Sequence, residues 1–229
     1  MKEARKLAPS LSLMALMALG LGGLIAMVIS SSASGDDTTR DAARQQRTQQ
    51  LFVMCANCHG DQGQGKQDLE APTIAGLPRW YVQSQLEKFR KGIRGAHPDD
   101  FRGLQMRPMA RQIYTDEDVQ DLAFYVSQLP RASRTTTIQG DKAKGATYYF
   151  GTCSTCHGDM GQGMKALNAP PLVIQNDWYL VRQLENFKEG RRGYHAKDSG
   201  GMLMKSMVSK LPDSQAIRDV VAYLGTLGD

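Results

Sequence analysis

The chain opens with an apolar run at residues 11–29, broken among the polar types only by Ser12. These nineteen residues exceed the roughly 7–15 of a signal-peptide core and match the roughly 17–25 of a spanning helix. The run is therefore expected to be an uncleaved anchor, with Lys2, Arg5 and Lys6 held on the cytoplasmic side. The alternative is an export signal removed near the small residues Ser32, Ala33 and Ser34, leaving a soluble periplasmic protein. In both readings everything after Ser30 is exported.

Beyond the run the apolar positions take helical spacing. Residues 41–54 are polar but helix-compatible. Residues 80–91 carry Tyr81, Val82, Leu86 and Phe89 on one face. Thr115, with Asp118 three positions on, predicts an N-cap for a helix through Val119, Leu122, Ala123, Val126 and Leu129. Asp213 takes the cap position of a similar helix near the C-terminus. The intervening stretches are rich in Gly and Pro, and nothing alternates like a strand for long. The expected class is all-α, with three helices per unit wrapped by loops. So few helices make a thin apolar core, which a bulky group at the centre would complete.

The helices come twice. At an offset of 98 residues, Cys55, Cys58, His59 and Gly60 fall on Cys153, Cys156, His157 and Gly158. Ala71-Pro72 falls on Ala169-Pro170, Trp80-Tyr81 on Trp178-Tyr179, and Gln85-Leu86-Glu87 on Gln183-Leu184-Glu185. Phe89, Arg94 and His97 meet Phe187, Arg192 and His195. Met106, Met109 and Tyr125 meet Met204, Met207 and Tyr223. The expected organisation is a basic flank, anchor and linker at 1–39, one unit at 40–130, a linker at 131–138 and a duplicate at 139–229.

Composition changes this picture little. Of 229 residues, 41% are hydrophobic and 22% charged, as in ordinary globular proteins. The net charge of +5 is not gathered into basic runs with interleaved aromatics, so nucleic-acid binding is not expected. The four cysteines matter more. In an exported protein they would suggest two disulfides, but each pair here has the spacing C-x-x-C and runs straight into a histidine.

C-x-x-C-H is the c-type haem attachment motif. Two thiols three positions apart on one helical turn reach the two vinyl groups of a porphyrin, and the adjacent histidine supplies the proximal nitrogen. A redox dithiol would need a βαβ context that is missing, and a zinc site would need further soft ligands. Two covalent haem c groups are therefore expected, at Cys55, Cys58 and His59 and at Cys153, Cys156 and His157. The sixth ligand must recur as well. Among twelve methionines only Met106/Met204 and Met109/Met207 do so. His97 and His195 also recur, and are read instead as turn caps or carboxylate partners.

The doubled C-x-x-C-H-G, the Trp-Tyr helix with its Gln-Leu, the Phe-x-x-Gly-x-Arg turn and the M-x-x-M before the final helix resemble the dihaem cytochrome c4 family of class I cytochromes c. The resemblance covers about residues 40–229. It implies two tandem class I cytochrome c domains, with the first methionine of each M-x-x-M, Met106 and Met204, as axial iron ligand opposite His59 and His157. An iron with both axial positions filled by protein has no vacancy for substrate, so an electron carrier and not an enzyme is expected. Its partners would be a quinol-oxidising complex and a terminal oxidase or reductase, met at the outer face of a bacterial cytoplasmic membrane. The alternative is the dedicated cytochrome subunit of a periplasmic dehydrogenase. A haem enzyme or gas sensor would require a displaceable methionine.

Overall fold

The computed structural model describes residues 22–134 and 136–227, with side chains from Thr38 onward. Thr48–Asp229 forms one compact unit, and the chain to Arg47 is a separate one. Among the described residues the secondary structure is helical, apart from two isolated bridges, Lys66 with Ala71 and Met164 with Ala169. These bridges sit 98 residues apart and close the same loop in both repeats.

The first repeat contains α1 (Gly22–His59), α2 (Arg79–Arg90), α3 (Phe101–Arg111) and α4 (Asp116–Gln128). Thr115 caps α4 as its sequence predicts, accepting from Asp118 N at 3.0 Å. The core gathers Phe52, Leu77, Val82, Ile113, Val119 and Leu122, and Phe52 meets Tyr125 at 5.0 Å between ring centroids. In the second repeat the first helix is broken. It runs as α5 (Lys142–Tyr148), a π-helical turn (Tyr149–Cys153) and α6 (Ser154–His157). The π turn buries Tyr149 completely, with its hydroxyl donating to Gly158 O at 2.5 Å. Beyond it, α7 (Asp177–Lys188), α8 (Ser199–Val208) and α9 (Ser214–Leu224) repeat α2–α4. Asp213 caps α9, accepting from Ala216 N at 2.8 Å. Close packing of α5 on α9 requires Gly145, where a Cβ would stand 1.9 Å from Asp219 O.

Two sequence expectations change. First, the methionine segments are helices and not loops. Asp100 and Asp198 cap α3 and α8, accepting from Gly103 N at 3.0 Å and from Gly201 N at 3.2 Å. Pro108 within α3 and the Gly200-Gly201 pair opening α8 hid these helices, because both residue types oppose helix interiors. Second, the anchor is corrected. Among the described residues no helix is long and apolar enough to cross a membrane. Residues 11–21 of the run lie outside the described residues. The remainder, from Gly22, continues without a break into α1, whose sequence soon carries Asp36, Asp37, Arg40 and Asp41. The expected single-pass placement in a membrane is corrected on that finding, and with it the membrane as a partner.

The repeats are joined by more than their linker. Lys88 on α2 pairs with Asp198 at 2.7 Å, and the Asp198 side chain is almost fully buried. Burial alone would raise the Asp198 pKa, but the bond from Lys88 and the Gly201 N–H hold it below the ordinary carboxylate range. A carboxyl depressed in the folded state stabilises the fold above its unfolded pKa of roughly 3.9, and that contribution is lost as pH falls through the folded value. Lys88→Met should leave Asp198 without its counter-charge and cost about 1–3 kcal/mol at neutral pH. Guanidinium unfolding as a function of pH checks this, since the variant should lose less stability than the wild type on acidification.

Candidate haem sites

The first attachment motif ends α1, and the second runs from Cys153 of the π turn through α6, so that in each repeat the thiols and histidine close a helical stretch. Gly60 and Gly158 stop those helices with φ of 85° and 78°, a left-handed conformation that favours glycine. No disulfide joins the four cysteines, Cys58 is exposed, and burial pushes the Cys55 and Cys153 thiols up to about 11. His59 and His157 are buried, with Nδ1 at 2.7 Å from Pro72 O and 2.8 Å from Pro170 O. A carbonyl only accepts, so Nδ1 carries the proton and Nε2 keeps its lone pair for a metal. Burial also lowers both histidine pKa values, partly opposed by these bonds, which keeps the rings neutral.

A cavity in the first repeat brings Cys55, Cys58 and His59 together with Met106 and Met109 of α3. Its walls are apolar, including Leu77, Val82, Leu86, Phe89, Ile113 and Val126. In the second repeat Cys153 and Met204 pack against one core cluster with Leu180, Val181 and Phe187. His97 and His195 take no part in this cavity. Each Nδ1 accepts from a backbone N–H two residues on, Asp99 at 3.1 Å and Lys197 at 3.0 Å, and so caps its own turn.

The cavity mouth opens onto the boundary between the repeats. Arg94 is buried there, donating to Gln85 Oε1 at 2.7 Å, and across the boundary to the Tyr179 hydroxyl at 2.7 Å and Gln183 Oε1 at 3.3 Å. Arg192 mirrors it, donating to Gln183 Oε1 at 2.7 Å and to Gln85 Oε1 at 3.4 Å. Each guanidinium also covers the phenylalanine five positions before it, at 4.6 Å over Phe89 and 4.5 Å over Phe187. Burial would raise the Tyr81 pKa, but Arg192 and Arg94 together bring it below the usual tyrosine range. The sequence singles out Arg94 and Arg192 through their recurring Phe-x-x-Gly-x-Arg turn, but not Gln85, Gln183 and Tyr179 as the acceptors that surround them.

An apolar slot with two thiols, a neutral histidine and a thioether, ending in a cationic mouth, fits a flat apolar macrocycle with carboxylates at one edge. The comparisons agree. The cytochrome c family profile matches residues 45–130 and 142–228. Cytochrome c4 of Azotobacter vinelandii is 29% identical over 222 residues, covering 91% of this chain and 94% of its own. The thiosulfate dehydrogenase electron acceptor of Stutzerimonas stutzeri is 26% identical over 215 residues, covering 90% and 94%. The crystal structure of cytochrome c4 from Pseudomonas stutzeri superposes with a TM-score of 0.61 at 25% identity, over 80% of this chain and 97% of that one.

The chain belongs to the cytochrome c family. Within it, the tandem repeat makes this a dihaem class I protein of the cytochrome c4 family, carrying covalent haem c and transferring electrons. Replacing Cys55 and Cys58 together by serine should leave one covalent haem per chain, and replacing all four cysteines should leave none. Intact mass after acid-acetone extraction reads the difference directly.

Proposed function

We propose that each repeat holds its haem iron between a histidine and a methionine, His59 with Met106 and His157 with Met204, and that the protein carries electrons between a quinol-oxidising complex and a terminal oxidase or reductase. The observation that carries this reading is the shared cavity of Cys55, Cys58, His59 and Met106, whose residues all recur at the same offset in the second repeat. When bound, haem supplies a one-electron ferric/ferrous couple. The residues do the rest. The cysteines tether, and the Pro72 and Pro170 carbonyls fix the histidine tautomer and ring plane. A thioether favours the reduced state and raises the potential above that of a bis-histidine site.

Within each M-x-x-M, both methionines lie on one helix, three positions apart and therefore on one face. Met106 and Met204 are preferred because Met204 packs with Cys153 against the second core, and because the family resemblance points to the first methionine. A second reading rests on the names of relatives. A similar protein is named as the electron acceptor of thiosulfate dehydrogenase, which supports a role as dedicated acceptor of a dehydrogenase. The two readings separate in a reconstituted assay. A respiratory carrier is reduced by membranes oxidising quinol, whereas a dedicated acceptor is reduced only when its dehydrogenase and substrate are added.

Charge supports different partners for the two ends, since residues 40–130 carry one excess positive charge and residues 131–229 carry four. Exposed charge steers encounters and is screened by salt.

Met106→Ala and Met204→Ala should each remove about half of the sulfur-to-iron charge-transfer band at the red edge of the oxidised spectrum, since one of two thioether ligands is lost. Loss of the band in Met109→Ala and Met207→Ala instead would move the ligand to the second methionine.

A further inference from the structure

The mouth of the first repeat's cavity carries charged groups that the second repeat does not match. In the first repeat, Glu70 stands at the mouth with Arg102 of α3 and with Arg182, which comes from α7 of the other repeat. Arg182 Nη1 lies 3.4 Å from Glu70 Oε2, and its Nη2 donates to Glu70 O at 2.8 Å. At the offset of 98 the same three positions are Asn168, Gly200 and Ser84. Three charged groups at this mouth thus have no charged counterpart at the equivalent positions of the other repeat.

Arg182 is also incompletely satisfied. Its Nε is buried without a hydrogen-bond partner although it lines the cavity. A buried guanidinium N–H left unpaired is costly, and a fork of N–H donors suits a carboxylate. The side chain is held in place by Trp178 and Tyr179, whose ring centroids lie 5.3 and 5.4 Å from its guanidinium carbon. Arg182 is therefore stationed by its own repeat to serve a cavity in the other.

We propose that Arg182 is a positioning residue for the carboxylates of the first repeat's haem, so that the potential of that site is set from across the domain boundary while the second site lacks such a group. The inference rests on the two-haem reading. A positive charge beside a site that loses an electron favours the reduced state, and Glu70 opposes it. Arg182 and Glu70 therefore pull the same potential in opposite directions, although removing either one breaks the same ion pair.

That opposition gives the test. Redox titration of the full-length dihaem protein reads two one-electron steps. Arg182→Gln should shift one step toward lower potential by about threefold to tenfold in the oxidised-to-reduced ratio, tenfold being about 59 mV for one electron. Glu70→Gln should shift the same step upward by a smaller factor, because Glu70 is nearly half exposed and more screened. The other step should stay where it is in both variants. Shifts in the same direction would show that the ion pair only holds the fold and would overturn the inference, as would two intact steps that move in neither variant. Fewer than two one-electron steps in the unmodified protein would refute the two-haem reading, and the inference would fall with it.

Discussion

Arg94 and Arg192 lie at the boundary of the two repeats, both within reach of the same two glutamine carbonyls. Like charges brought together out of water repel and lose hydration, so such a pair persists only where acceptors surround it. Gln85, Gln183 and Tyr179 provide them, and the phenylalanine faces take up the flat sides of the guanidinium groups. All of these acceptors come from α2 and α7, one helix in each repeat. The cluster therefore forms only when the repeats dock in one arrangement. It also leaves a cationic wall where the first cavity opens, which is where a cofactor with carboxylates needs one.

Around this shared cluster the contacts stop being symmetric. Lys88 reaches Asp198, but the residue equivalent to Lys88 is the buried, neutral Asn186. Thr73 N donates to Asn176 Oδ1 at 2.7 Å, and Gln175 Nε2 donates back to Thr73 O at 3.1 Å. The positions equivalent to Thr73, Gln175 and Asn176 are Pro171, Leu77 and Pro78, so this exchange too has no mirror image. Duplication supplied two copies of the attachment and methionine residues, and divergence at the boundary made their surroundings unequal. This asymmetry is what the proposed difference between the two sites rests on.

Much of this was legible in the sequence, for identifiable reasons. The haem motifs are local and their chemistry is strict. Thr115 and Asp213 announce their helices because a cap depends on a residue and its own following turn. The helices carrying the methionines escaped notice because Pro108 and Gly200-Gly201 oppose helix propensity, while the caps that sustain them, Asp100 and Asp198, sit in loops. In the boundary cluster Arg94 and Arg192 stand out through their recurring turn, whereas Gln85 and Gln183 look like the polar face of their helices until a second copy is placed against them. The apolar run at 11–29 was read by its length alone, and the described helix that continues it is too polar to span a membrane.

Electron transfer through two docked sites requires that the repeats work as a single relay. Its most direct measurement is sub-stoichiometric rapid reduction of the holoprotein, with the redistribution of the electron between the two haems followed in time. The expected redistribution rate does not change with protein concentration, because the electron crosses the boundary within one molecule. A rate that rises in proportion to concentration would contradict it, since the two sites would then exchange electrons only through collisions.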